Sequence, residues 1–168
     1  MGRATRVANT VLLGAAFMLG MPGAASARDG VRSMVYEMVK VESRDGKVLV
    51  RLTIDNQGDS TIYVPRSVAS EQELFGNWFE VRDSSNGDPL AYIGPVVKRA
   101  PLGKGDFVAV KPHSRHRNTI DITNAYAFVA GRHAYQLNYA GTYVSDLKSI
   151  AQVTPIEPAS VMFAHVGK

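Results

Sequence analysis

The stretch Lys47-Val48-Leu49-Val50-Arg51-Leu52-Thr53-Ile54-Asp55 decides the fold class. Val48, Val50, Leu52 and Ile54 alternate with Lys47, Leu49, Arg51, Thr53 and Asp55. A period of two puts the first set on one side of an extended strand, where a helix would scatter it. Upstream, Val31 to Glu42 is an apolar, β-branched run, joined to the first by Ser43-Arg44-Asp45-Gly46. A Gly after Asp suits the positive φ angles of a tight hairpin, so the two runs read as an antiparallel pair.

Downstream the same grammar repeats. Asn56 to Ser60 (NQGDS) reads as a turn, and Thr61 to Val64 as a short strand ended by Pro65. Ser67 to Leu74 has room for one helical turn. Phe75 to Asp83 carries Trp78, Phe79 and Val81 and is followed by the turn cluster Ser84 to Pro89 (SSNGDP). Leu90 to Ile93, Phe107 to Val110, Thr119 to Ile122, His133 to Tyr139 and Ser160 to Val166 complete the strands. Turn signals every eight to twelve residues, without a long helical pattern, predict an all-β, Ig-like antiparallel β-sandwich of eight or nine strands. Tyr135, Leu137 and Tyr139 alternate on what should be a central strand, and Trp78 is expected in the core.

Residues 1–27 stand apart. Arg3 and Arg6 precede the apolar run Val11 to Met21 (VLLGAAFMLGM), which Pro22 and Gly23 break, and Ala25-Ser26-Ala27 offers small residues at −3 and −1. This is the order of a secretory signal peptide, and it predicts an exported chain, periplasmic or extracellular. Residues 28–168 are then expected to form a single domain of 141 residues, long enough to bury roughly two-thirds of its unfolded surface. Of the 19 Lys and Arg residues, the leader holds two, leaving 17 against 15 acidic residues and a net charge of +2. That small excess, with export, argues against nucleic acid as a partner. No run of eighteen apolar residues predicts a membrane span. The absence of Cys removes thiol catalysis, Cys-ligated zinc and iron–sulfur clusters.

Candidate chemistry is sparse. His113-Ser114-Arg115-His116 has H-x-x-H spacing, but it follows Pro112 in what reads as a polar turn. A spacing of three points side chains to opposite faces of a strand, so no metal site is assigned. His133 and His165 bound strands and read as packing or edge residues. No G-x-S-x-G elbow or Gly-rich loop opening a helix occurs. Glu71, Glu73 and Glu80 read as solvated charge. Neither an enzyme nor a cofactor is therefore expected. One charge concentration does stand out: Lys98, Arg99, Lys104, Lys111, Arg115 and Arg117, in two loops flanking Phe107 to Val110. Such a cluster suits an acidic partner surface.

Four segments carry a resemblance: Tyr92-Ile93-Gly94-Pro95-Val96-Val97-Lys98-Arg99; Phe107-Val108-Ala109-Val110-Lys111-Pro112; Ile120-Asp121-Ile122-Thr123-Asn124-Ala125-Tyr126; and Gly131-Arg132-His133-Ala134-Tyr135-Gln136-Leu137-Asn138-Tyr139. Their order resembles the β-sandwich domain that precedes the catalytic domain in bacterial secreted metalloendopeptidases of the deuterolysin (aspzincin) type. It spans about Val48 to Val166. The family's protease domain holds zinc with H-E-x-x-H, which this sequence lacks. Gly141-Thr142-Tyr143-Val144-Ser145-Asp146 is similar to the family's G-T-x-x-D element, but one residue longer, and it reads as strand end and loop. The resemblance implies a non-catalytic protein-binding module, an inhibitor or folding chaperone of such a protease. Gly94, Pro95, Lys98, Arg99, Lys104, Lys111, Arg115 and Arg117 are its candidate binding residues, with Gly94 to Lys104 as a stiff projecting loop. The alternative is an envelope accessory protein that binds an anionic surface or glycan through the same basic loops.

Overall fold

Asp45 and Gly46 both take positive φ, 53° and 75°, and this two-residue turn sets the register of the first hairpin. Strands β1 (Val35–Arg44) and β2 (Lys47–Asn56) pair antiparallel along their whole length, from Arg44 opposite Lys47 to Val35 opposite Asn56. The computed structural model describes residues 34–98, 101–157 and 159–168. The predicted signal peptide and Arg99 lie outside the described residues.

The chain continues through β3 (Ile62–Pro65), one helical turn α1 (Arg66–Ala69), β4 (Glu80–Asp83), β5 (Phe107–Val110) and β6 (Ser114–Asp121). It ends with β7 (Gly131–Tyr139), β8 (Thr142–Tyr143), β9 (Thr154–Pro155) and β10 (Ala159–Gly167). The described strands pair antiparallel with one another: β1-β2-β6 and β10-β7-β4 form three-stranded sheets, with two-stranded pairs β3-β5 and β8-β9.

The inward set of β2, Val48, Val50, Leu52 and Ile54, is buried as its alternation requires. Val48, Val50 and Leu52 join Ile120 of β6, Val81 of β4, Tyr135, Leu137 and Tyr139 of β7, and Phe163 of β10 in one core cluster. Both three-stranded sheets thus bury one face in the same cluster. A second cluster links Val35 and Ile54 to Ile62, Val64, Val110 and Ile156. Phe128 bridges several rings edge-on, with centroids 5.1 Å from Tyr135 and 4.9 Å from His165.

Several expectations need correction. Trp78 lies outside the core, 42% exposed, while Phe79 beside it is buried. The strand expected over Phe75 to Asp83 is confined to Glu80–Asp83. Leu90 to Ile93 forms no strand; the Tyr92–Tyr126 bridge and single backbone bonds hold it. The Thr119 to Ile122 strand begins earlier, at Ser114, so Arg115, His116 and Arg117 lie on a strand. With the two-residue strands β8 and β9, ten strands are described instead of eight or nine.

Candidate functional site

The expected binding residues divide among separate places. Gly94 and Pro95 are pinned: the amides of Ile93 and Gly94 donate to the Ala125 carbonyl at 2.8 and 3.2 Å. The Tyr92 hydroxyl lies 2.8 Å from the Pro95 carbonyl and 3.2 Å from that of Leu74. A Cβ at Gly94 would stand 2.7 Å from that hydroxyl, so glycine is needed here for close approach. The pinned base carries an exposed run, Ile93, Val96 and Val97, that leads to exposed Lys98. Lys104 belongs to a 3₁₀ turn (Lys104–Asp106), where Arg66 Nε donates to the Gly105 carbonyl at 2.9 Å. It therefore sits at the β3-β5 corner and not on β6.

Arg115 and Arg117 instead face solvent from β6, where pairing builds a surface the sequence does not announce. Register sets Tyr36, Asp55 and Arg115 in one row across β1-β2-β6, and Met38, Thr53 and Arg117 in the next. Lys40, Arg51 and Thr119 form a third. Arg115 Nε donates to Asp55 Oδ2 at 2.9 Å, and Arg51 pairs with Glu42 at 2.9 Å. Arg117 and Lys40 are exposed and have no ion pair among the described residues. Tyr36 and Met38 are 44% and 45% exposed beside them. Lys111 is exposed at the turn entering β6, its carbonyl held by Asn56 Nδ2 at 3.1 Å and Ser114 Oγ at 2.7 Å. The register thus brings Arg115 and Arg117 onto one face with Lys40 and Arg51, leaves Lys111 at the turn that enters β6, and puts Lys98 and Lys104 outside these rows. Lys40 and Arg51 could have been found only by pairing the strands, because they stand 64 or more positions before Arg115.

The histidines separate as well. His113 Nε2 lies 3.0 Å from Asp59 Oδ1, whereas His116 Nε2 lies 2.6 Å from the Ala69 carbonyl. His133 Nδ1 is 3.6 Å from Asp83, whose carboxyl is held below its ordinary range chiefly by the Ser85 hydroxyl and amide. His165 is buried, 2.9 Å from Ser43 Oγ, and burial lowers its pKa. Asp146 is exposed and accepts from the Lys148 amide at 2.8 Å. Glu80 is tied to Arg82 and Asn138, which lower its pKa. Among the described residues no three His, Asp or Glu side chains converge to hold a metal ion.

One carboxylate is set unlike the rest. Glu37 takes the inward position of β1 between Val35 and Val39, and its Oε2 is buried without a hydrogen-bond partner. Burial pushes its pKa up to about 7. Gly141 lies so close to this carboxyl that a Cβ there would collide with it.

No family model matches the chain, and no curated protein matches it. It is similar to an X-ray structure of a Northeast Structural Genomics Consortium target, at 14% identity and a TM-score of 0.37. That likeness covers 80% of this chain and 88% of the other.

Proposed function

We propose that the chain is an exported, non-catalytic module of Ig-like β-sandwich form that binds an acidic protein surface through the solvent face of β1-β2-β6. The observation that carries this reading is the register: exposed Tyr36 and Met38 stand one strand away from Asp55 and Thr53, which pair with exposed Arg115 and Arg117. Tyr, Met and Arg are enriched in interface centres: Tyr offers large contact area at low entropic cost, Met an adaptable apolar surface, and Arg several hydrogen-bond donors. Asp55 and Glu42 offset two of the cations, and Lys40 and Arg117 leave the face positive. Steering of an acidic partner, weakened by salt, follows from that excess.

The partner class is the one the resemblance implies, a secreted metalloprotease of the deuterolysin type, which the module would inhibit or help to fold. The test is titration of the mature chain into such a protease, reading complex formation and activity. Lys40→Glu with Arg117→Glu should weaken binding at least tenfold and leave the melting curve in place, because neither side chain has an ion pair among the described residues. Lys98→Ala should bind as the parent does. Full binding by the double charge reversal, with loss by Lys98→Ala, would return the site to the Gly94 to Lys98 loop. Mass spectrometry of the exported chain should find an N-terminus at or near Arg28; an intact Met1 would defeat the export reading.

A further inference from the structure

The second sheet carries a different kind of surface. A groove of about 520 Å³ is lined by Asn77, Trp78, Glu80, Leu90, Asn138 and Tyr139 among others. That volume falls in the range of small-ligand sites, which combine an aromatic wall with a few placed polar groups. Trp78 supplies the wall, half out in solvent, and its amide donates to the Gly76 carbonyl at 3.1 Å. A Cβ at Gly76 would stand 3.3 Å from the indole Nε1, so glycine leaves room for the ring.

The polar side of the groove is already ordered. Asn138 Nδ2 donates to Glu80 Oε2 at 3.0 Å, and Gln136 Nε2 donates to Asn138 Oδ1 at 3.1 Å and Ser160 Oγ at 2.8 Å. Arg82 pairs with the other Glu80 oxygen, so the charge of this carboxylate is matched. The Asn77 side-chain amide lies 2.9 Å from the Tyr126 hydroxyl, which holds it in place at the groove. Cross-strand register repeats this order, with Glu80 opposite Asn138 and Asn138 opposite Ser160. A wall of oriented amides with no net charge has little to offer a phosphate backbone. It suits a ligand with one apolar face and many hydroxyls, and such a ligand is a sugar.

We propose that this groove binds an uncharged oligosaccharide, one pyranose ring stacking its C–H face on Trp78 while its hydroxyls bond to Asn77, Glu80 and Asn138. The indole offers a π face to the apolar side of the ring. The preset amides lower the ordering cost of binding.

Trp78 is the only tryptophan in the chain, so its emission reports on this groove and on the apolar cleft beside Pro65, Phe107 and Val153 that it also lines, and the Asn138 variant tells the two apart. The mature chain is titrated with chitotriose, cellotriose and maltotriose, following emission and acrylamide quenching. At least one should give a saturable emission change with protection from quencher. Asn138→Ala should weaken that response by about tenfold, as expected for a lost hydrogen-bond pair, at nearly unchanged melting temperature. Calorimetry should find the heat retained by Trp78→Phe, which keeps a ring, and lost by Trp78→Ala. Absence of any saturable change with all three sugars overturns the proposal, as does undiminished heat with a folded Trp78→Ala. An equal response to trialanine overturns the sugar assignment. Lys40→Glu with Arg117→Glu should leave the sugar response untouched, which separates this site from the cationic face.

Discussion

Trp78 and Phe79 are neighbours with opposite fates, and the strand period explains why. Phe79, Val81 and Asp83 point inward, whereas Trp78, Glu80 and Arg82 point out. The alternation is legible in the sequence: aromatic size argues for a core place for Trp78, its position in the period argues against one, and the period prevails. Phe79 packs edge-on to Tyr139 with centroids 5.1 Å apart and is fully enclosed. Phe79→Ala should therefore cost about 3–5 kcal/mol in urea melts, and Trp78→Ala distinctly less. Equal losses would mean that Trp78 carries core packing. Tyr126 offers a sharper single-atom case. Its hydroxyl lies 2.6 Å from the Phe79 carbonyl and 2.9 Å from Asn77 Oδ1, and burial raises its pKa beyond the ordinary phenol range. Tyr126→Phe leaves that buried carbonyl without its donor, so a loss of about 1–3 kcal/mol is expected from thermal unfolding. A neutral substitution would show that the carbonyl finds another donor.

Strand β2 and strand β6 show what a sequence can and cannot announce about an element. In β2 four alternating apolar residues demand a buried face, and the strand follows from them alone. In β6, Ser114–Asp121, only Ile120 is fully buried, and Arg115, His116, Arg117 and Asn118 look like a turn. That segment is extended because β2 offers it a ladder from Asn56 opposite Ser114 to Leu49 opposite Asp121. Long-range pairing of this kind leaves no local period to read, so in the sequence Arg115 and Arg117 look like loop residues while the structure sets them on a strand. Asn56 makes the join. Its Nδ2 lies 2.9 Å from the Ser60 carbonyl and 3.1 Å from those of Val110 and Lys111, while Oδ1 accepts from the Gly58 amide at 3.1 Å. It is almost wholly buried, so Asn56→Ala would strip donors from several carbonyls at once. A loss of about 2–3 kcal/mol is expected. Hydrogen exchange should speed up first at the start of β6; uniform acceleration across β7 and β10 would contradict a local clamp.

The molecule as a whole buries one face of each three-stranded sheet in a shared core, and that much was legible from alternation in β2 and β7. The strand order β10-β7-β4 was not, since it joins segments from Glu80 to Gly167 through pairings with no local sequence signal. The place of Glu37 between Val35 and Val39 puts it on the inward face by period, but nothing in the sequence shows that its carboxyl meets no partner there. Its consequence is global because an unpartnered charge there acts on the whole folding equilibrium. The unfolded chain releases this proton near the ordinary value of 4.5, the folded chain near 7. Between those values the native state binds more protons than the unfolded one, so this group makes stability fall as pH rises. Below the window both states are protonated and above it both are ionised, and the group then adds no slope. The whole drop is about 3 kcal/mol. The Tyr139 hydroxyl, raised by its own burial and by Glu37, stays protonated throughout and does not compete. His165 acts in the opposite sense, because burial lowers its pKa and favours folding as pH rises. Glu37→Gln isolates the carboxyl, since the histidines are common to both proteins. Urea melts at pH 4, 6 and 8 should show the variant gaining on the parent at each step, by up to about 3 kcal/mol at the last. Parallel stability profiles for the two proteins would show that Glu37 ionises in the native state as freely as in the unfolded chain.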